Sequence, residues 1–309
     1  MAIVDRTRIG IATPHMFMDG TVDMELVNRY VRRAEELGYV SLWTQERLTG
    51  APTVIDPLSF LAYIAGQTSR ARLGVSVVVL PRHNPIHLAK QTASIDQMSG
   101  GRLILGVGLG ANAKDLVQYG LSPERRVRRF IEHVEIIKAL WTQENVVYRG
   151  DFYELDGTNI EPKPLQDPHP PLWFGANADA AIHRALKYGD GWTGAGSSSS
   201  ADFPAKVALV QSLLAADGRT QTEFPISKRV YLVIDDDEHR GLRRMQEWAA
   251  SYYGNAEVAE RAGVWGSASK IQEKLAEWSE LGVDEFVLNP VVEVESTMEQ
   301  LAVMTGLKA

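Results

Sequence analysis

Glu161-Pro162-Lys163-Pro164-Leu165-Gln166, Pro170-Pro171-Leu172-Trp173-Phe174-Gly175 and Gly189-Asp190-Gly191-Trp192 are three pieces of one stretch, and its reading decides the fold. The prolines stiffen an approach to a short apolar strand, Leu172–Gly175. A helix follows, and Gly191-Trp192 opens a second short strand. Strand, helix and strand in so few residues are a parallel unit with a right-handed crossover. Gly175-Ala176-Asn177 stands where strand turns into helix, so its backbone N–H groups lie at the positive end of a helix dipole. That is a place for a phosphate.

The same alternation extends in both directions. Upstream, strands are expected at 8–13, 39–43, 72–80 and 102–107, each followed by a helical pattern. Asp23 caps the first helix, whose Leu26, Val27, Val31, Ala34 and Leu37 share a face, and Asn84-Pro85 starts the third with a cap and a first-turn proline. The fourth helix is expected from Ser122-Pro123 to about Trp141, with a small excursion over 146–155. Downstream, strands at 192–193, 229–234 and 285–292 alternate with helices at 203–216, 238–253 and 268–281. Continuous apolar strands such as Val75 to Val79 suit a sheet covered on both faces. Eight βα units predict a (β/α)8 TIM barrel with insertions, residues 1–309 forming one domain, with a doubly wound open sheet as the rival. The run Ser197–Ser200 reads as a mobile loop or lid after strand six.

Composition narrows the chemistry. Among 309 residues there is no cysteine, which excludes disulfides, thiolate nucleophiles and cysteine-held metal clusters and suits a cytoplasmic setting. The net charge of −7 argues against a nucleic-acid partner, and no apolar run is long enough for a membrane span. The basic cluster Arg125, Arg126, Arg128, Arg129 reads as a solvated helix face pairing with acids such as Glu132.

In a barrel the active site lies at the C-terminal strand ends, which directs attention to His15, Glu46, Arg47, Ser76, Arg82, His83, Gly108, Gly110, Asn112, Asn177 and Thr193. Gly106-Val107-Gly108-Leu109-Gly110 lacks the third glycine of a dinucleotide fingerprint, and is a tight turn that lets a ring or phosphate approach the backbone. His83 and His87 are four apart, but the helix starts between them and no acid accompanies them, so no metal site is expected. His15, directly after strand one, is the candidate proton-transfer group; Glu46-Arg47 is either an ion pair or part of the site. No nucleophile elbow is present.

Taken in order, Ser41-Leu42-Trp43 with Glu46, Leu73-Gly74-Val75-Ser76-Val77, Pro81-x-x-Asn84-Pro85, Ser99-Gly100-Gly101-Arg102-Leu103, Gly106 to Gly110, Glu161 to Pro164 and Gly189 to Trp192 resemble the luciferase-like monooxygenase family. Within it the chain looks most like the deazaflavin branch, which uses coenzyme F420. The resemblance implies a flavin-type ring at the mouth of the barrel. A bulge with a non-proline cis peptide, matched by Ser76-Val77, props the ring. Glu46 matches an acid that contacts the ring, and Gly108, Leu109, Gly110 and Asn112 match the loop along it. Gly175, Ala176 and Asn177 match the phosphate and tail region, as do Thr193 and Gly194 more loosely. Members that oxidise sugar phosphates carry His and Glu where this chain has Arg47 and Ala111, which speaks against that substrate.

Three functions follow as expectations. One is F420-dependent hydride transfer with a small organic substrate, with His15, Glu46 and Arg47 as catalytic candidates and Arg47 able to hold an anionic group. Another is reduced-FMN monooxygenation supplied by a separate flavin reductase. The last is a barrel that carries a flavin-type ligand without turnover. The resemblance also implies a homodimer.

Overall fold

Eight parallel strands close on themselves in the computed structural model, which describes residues 3–110 and 112–307. They are β1 (Arg8–Ala12), β2 (Ser41–Thr44), β3 (Arg72–Val79), β4 (Leu103–Gly108), β5 (Leu172–Gly175), β6 (Gly191–Gly194), β7 (Ile226–Ile234) and β8 (Glu285–Pro290). Each pairs with its sequence neighbours, β8 returns to β1, and β6 joins β7 to complete the ring. The open-sheet alternative is therefore excluded.

The helices are α1 (Met24–Glu36), α2 (Pro57–Ala65), α3 (Pro85–Ser99), α4 (Arg126–Thr142), α5 (Asp179–Tyr188), α6 (Phe203–Ala216), α7 (Glu238–Tyr253), α8 (Val258–Ala262), α9 (Ala268–Glu280) and α10 (Val294–Thr305). The expected caps are in place. The Asp23 carboxylate accepts from the Leu26 amide, and the Asn84 side chain accepts from those of Ile86 and His87. Each such cap is worth about 1 kcal/mol.

The barrel interior is small and aromatic. Trp43 and Trp173 face each other with centroids 5.4 Å apart, packed with Ile104 and Val287. Such a pair adds about 0.5–1.5 kcal/mol beyond its buried area. Gly74 makes room for it, since a Cβ there would stand 2.4 Å from the Trp43 ring. Below the tryptophans the buried Glu285 accepts from Ser41 Oγ at 2.6 Å and from Trp43 Nε1 at 3.2 Å, and pairs with Arg8.

Several boundaries differ from the sequence reading. The fourth helix starts at Arg126, because residues 113–119 form a 3-10 turn and Arg125 takes a left-handed backbone, φ 55°. β7 begins at Ile226, three residues early, where its first residues pair with both β6 and β8. The excursion is an antiparallel hairpin, Val146–Arg149 with Glu154–Thr158. The arginine cluster clamps it. Arg125 and Arg128 both reach Asp151, Arg129 lies 4.0 Å over the Phe152 ring, and the buried Glu132 accepts the amides of Asp151 and Phe152.

The larger surprise is α7. α9 packs against β7 and α10 as the barrel helix before β8. α7 and α8, with the short strand Val264–Gly266, form an excursion seated on the outgoing half of β7, where Tyr231, Val233, Met245, Trp248 and Tyr252 make a second core.

Candidate active site

The C-terminal ends of the strands form a mouth whose floor is made by β3, β4 and β5. The Ser76–Val77 peptide is cis. The β3–β4 register shifts between Val75 and Val78, so the ladder resumes with one extra residue on β3. That bulge turns the Val77 side chain onto its neighbours' backbones. A Cβ on Gly108 would stand 2.6 Å from one Val77 methyl, and one on Gly175 would stand 2.7 Å from the other. Val77, Gly108 and Gly175 thus make a flat apolar ledge. Gly110, at φ +79°, lies against Val79 in the same way, and its carbonyl accepts from Arg126. Leu109 packs against the core from the same turn. Ala111 is outside the described residues.

On one side of the ledge the charges are paired. The Glu46 side chain is fully buried; it accepts from the Val79 amide at 3.2 Å, meets His83 Nε2 at 2.6 Å and has Arg82 at 3.6 Å. Arg82 also pairs with Asp115 at 3.1 Å. Asn112 caps the 3-10 turn and donates to Asp115 at 2.6 Å. The sequence places Arg82 and His83 after a strand, and sets His83 beside His87 only to discount a metal site; the structure gathers Arg82 and His83 around Glu46.

The other expected catalytic residues are held differently. His15 is buried, with Nδ1 2.8 Å from the Thr13 carbonyl and Nε2 accepting the Gln45 amide at 3.1 Å. Burial, with a smaller push from Arg229, lowers its pKa to about 4 against the help of Thr13, so it is neutral and both ring nitrogens are spent on backbone. Arg47 donates to the carbonyls of Ala51 and Tyr252 and lies 4.6 Å over the Tyr252 ring, tying the loop after β2 to α7.

On the far side of the ledge, beyond β5 and β6, a cleft of roughly 480 Å³ is lined by Asn177, Trp192, Ser198, Asp202, Lys206 and Arg261. Asn177 is exposed there, while Ala176 is buried and its carbonyl receives Trp192 Nε1. Thr193 and Gly194 line the strand behind it, both buried, and the Thr193 hydroxyl has no partner among the described residues. In the serine run expected to be a mobile loop or lid, Ser200 bonds to the carbonyls of Arg261 and Ala262, and Lys228 reaches Ala195 O and Ser198 Oγ, each at 3.0 Å.

Sequence reasoning missed two cations. Lys228 and Arg229 adjoin in β7, one facing the helices and one facing the barrel interior, and neither has a carboxylate within ion-pair distance among the described residues. Burial lowers the pKa of Lys228 to about 7 and that of Arg229 below the usual guanidinium range. A signal was present: two cations beside Val230-Tyr231-Leu232-Val233 sit oddly in a strand covered on both faces.

The pattern of the luciferase-like monooxygenases matches residues 7–277. The chain belongs to that family. An uncharacterised protein of Mycobacterium tuberculosis is 38% identical over 169 residues, covering 53% of this chain and 58% of the relative. The F420-dependent glucose-6-phosphate dehydrogenase of Kineococcus radiotolerans is 30% identical over 229 residues, 70% of this chain and 66% of its own. The FMNH2-dependent dimethylsulfone monooxygenase of Pseudomonas putida is 27% identical over 231 residues, 73% and 62% respectively. The chain thus spans 58% of the length of the first curated relatives it matches. A solved F420-dependent secondary alcohol dehydrogenase, complexed with an F420–acetone adduct, superposes with TM-score 0.82 at 18% identity, covering 97% of this chain and 98% of that one. That likeness speaks for the fold. No helix among the described residues is long and apolar enough to cross a membrane.

Proposed function

We propose that this chain is an oxidoreductase that binds coenzyme F420 and moves a hydride between it and a small organic substrate. The observation that carries the reading is the ledge of Val77, Gly108 and Gly175. Its glycines let Val77 lie flat against the backbones of β4 and β5, a shelf on which a planar ring would stack, and it runs toward a cleft holding Lys206, Arg261 and the start of α5. An apolar shelf beside a cleft that offers Arg261, Lys206 (paired with Asp179) and the start of a helix fits a flat ring bearing a phosphate. The orphaned Thr193 hydroxyl is a further donor or acceptor between the two.

When bound, the deazaflavin supplies a hydride donor or acceptor that resists one-electron and oxygen chemistry. The chain's own residues do the rest. Ser76, Val77, Gly108, Leu109 and Gly110 hold the ring, and Glu46, fixed by Val79, His83 and Arg82, sets its edge. Asn112 holds the adjoining turn. Gly175, Ala176, Asn177, Thr193 and Gly194 face the phosphate. His15 and Arg47 serve as positioning residues: neutral His15 fixes the Gln45 amide, and Arg47 ties α7 across the mouth. With Arg47 so engaged there is no free base at the position where sugar-phosphate oxidisers carry His, which favours another substrate.

Fluorescence titration of the purified chain with oxidised F420 tests the reading, with FMN and reduced FMN in parallel. We expect micromolar or tighter binding of F420 and at least a ~10-fold preference over either flavin, about 1.4 kcal/mol. A preference for reduced FMN, together with oxygen uptake, would move the chain to the reductase-coupled monooxygenases; no binding of any of these ligands would remove the reading.

A further inference from the structure

Arg229 is 1% exposed, inside the barrel, and its hydrogen bonds are incomplete. Nη1 donates to Asn289 Oδ1 at 3.1 Å and Nη2 to the Thr44 carbonyl at 3.3 Å, while Nε has no partner among the described residues. A buried cation without a counter-ion is costly to hold. What faces it is a row of hydroxyls. The Tyr231 phenol lies close enough to the guanidinium to interact with its charge, and its oxygen accepts from Gln45 Nε2 at 2.7 Å. The Tyr231 hydroxyl is 2.6 Å from that of Tyr253.

These contacts fix the direction of the protons. The Tyr231 oxygen accepts from Gln45, and the one acceptor its buried hydrogen reaches among the described residues is the Tyr253 oxygen; the reverse direction would leave that hydrogen buried and unpaired, so Tyr231 donates to Tyr253. The Tyr253 hydrogen then has no acceptor among the described residues. Burial, followed by the neighbouring phenols, raises the Tyr253 pKa well above its usual value, so this hydrogen stays in place through the neutral range. Gln45, Tyr231 and Arg229 are buried, and Tyr253, in the last turn of α7, is the part-exposed member of the row. A cation at the inner end polarises each hydroxyl in turn, and the outermost donor is the strongest.

We propose that Tyr253 is the donor of a subsite for the oxygen of the substrate, a carbonyl or oxyanion, with Arg229 as a positioning residue acting through Tyr231. The proposal rests on the oxidoreductase reading for the meaning of that oxygen. It narrows the substrate to an aldehyde, ketone, enone or the matching alcohol, whose oxygen carries negative charge as hydride arrives or departs.

The test needs no cofactor. 4-Nitrophenol, whose visible band reports its ionisation, is titrated into the wild-type chain, Tyr253→Phe, Tyr231→Phe, Arg229→Met, Arg229→Lys and the double variant Tyr231→Phe/Tyr253→Phe. Tyr63→Phe, on the outer face of α2, controls for the loss of any phenol hydroxyl. Wild type should hold the phenolate form preferentially. Tyr253→Phe should weaken it ~10-fold or more, as expected for a hydrogen bond to a charged oxygen. Tyr231→Phe and Arg229→Met should weaken it to a similar degree, the double variant should be no worse than either single one, and Arg229→Lys should recover part of the loss. If Arg229→Met does not fold, the tyrosine pair and its double variant carry the same test. Phenolate binding unchanged in Tyr253→Phe, or absent in wild type, overturns the proposal. F420 titrated into the same proteins separates the two ideas: unaltered F420 binding with no phenolate binding removes the subsite alone, and the reverse removes the cofactor reading alone.

Discussion

Two sides of one mouth handle charge in opposite ways. Beside β2, β3 and β4, the buried Glu46 is matched by Arg82, His83 and a backbone amide, and Arg82 is matched again by Asp115. On β7, Lys228 and Arg229 are buried with only neutral partners. The first arrangement is complete in itself and needs no ligand to neutralise it. The second is a standing cost, and such a cost is what a site shows when its counter-charge arrives with something else. The paired side is held by its own contacts, and the β7 cations carry charge that no carboxylate within ion-pair distance neutralises among the described residues.

Removing one partner is the sharpest way to break this comparison. Glu46→Leu strips the carboxylate from Arg82, His83 and the Val79 amide and leaves all three buried or half-buried without it. The expected loss is about 2–3 kcal/mol, because the Val79 amide and His83 lose a charged acceptor while Arg82 keeps Asp115. It is read as a lower urea midpoint at unchanged slope. A loss under about 1 kcal/mol would mean that the network is loose, and that the two sides do not differ in the way described.

The same operation on the other side should have the opposite sign. Lys228→Met replaces an ammonium flanked by the Phe203 and Trp278 rings, 5.0 and 5.9 Å away, with an apolar chain of similar length. It should stabilise the fold at pH 6 by up to about 4 kcal/mol. The pH dependence fixes the cause. Burial lowers the pKa of Lys228 to about 7 in the folded chain, below its ordinary value of 10.5 in the unfolded one. Between those values the unfolded state holds more protons, so wild-type stability rises with pH and the penalty of charging Lys228 fades. The advantage of Lys228→Met should thus shrink from pH 7 toward pH 10, as read from thermal midpoints across that range. A constant advantage would point to packing rather than charge.

The contrast also marks what a sequence can reveal. The strands of the ring were legible because parallel strands covered on both faces read as continuous apolar runs, and Asp23 and Asn84 announced their helices by local cap chemistry. Glu46, Gly108 and Asn177 were legible because strand ends locate a barrel's mouth. The unpaired side was not. Starting β7 at Arg229 hid its first residues, and only tertiary placement shows that Lys228 faces helices while Arg229 faces the interior. Nor does any local pattern show that α7 doubles back over the mouth to bring Tyr253 to Tyr231. His15 was read correctly as standing at the end of β1, but its state depends on the Gln45 amide, which comes from the next βα unit.

His15 joins the two sides. Burial lowers its pKa to about 4, below the ordinary 6.5 of an imidazole, and the charge of Arg229 contributes to that lowering. A base depressed in this way stabilises the fold above pH 6.5, and the contribution is lost as pH falls toward 4, by at most about 3.5 kcal/mol at 1.4 kcal/mol per unit. His133 has the same value for a similar cause, burial, with Nδ1 on the Leu80 carbonyl. His15→Gln should therefore remove only part of the acid-induced loss measured between pH 7 and 4.5, leaving the part that belongs to His133. Arg229→Met should shift the His15 portion to higher pH and leave the His133 portion unmoved. If both histidine portions move together, Arg229 is not acting on its neighbours as a localised charge, and the β7 side of the mouth loses its claim to unneutralised positive charge.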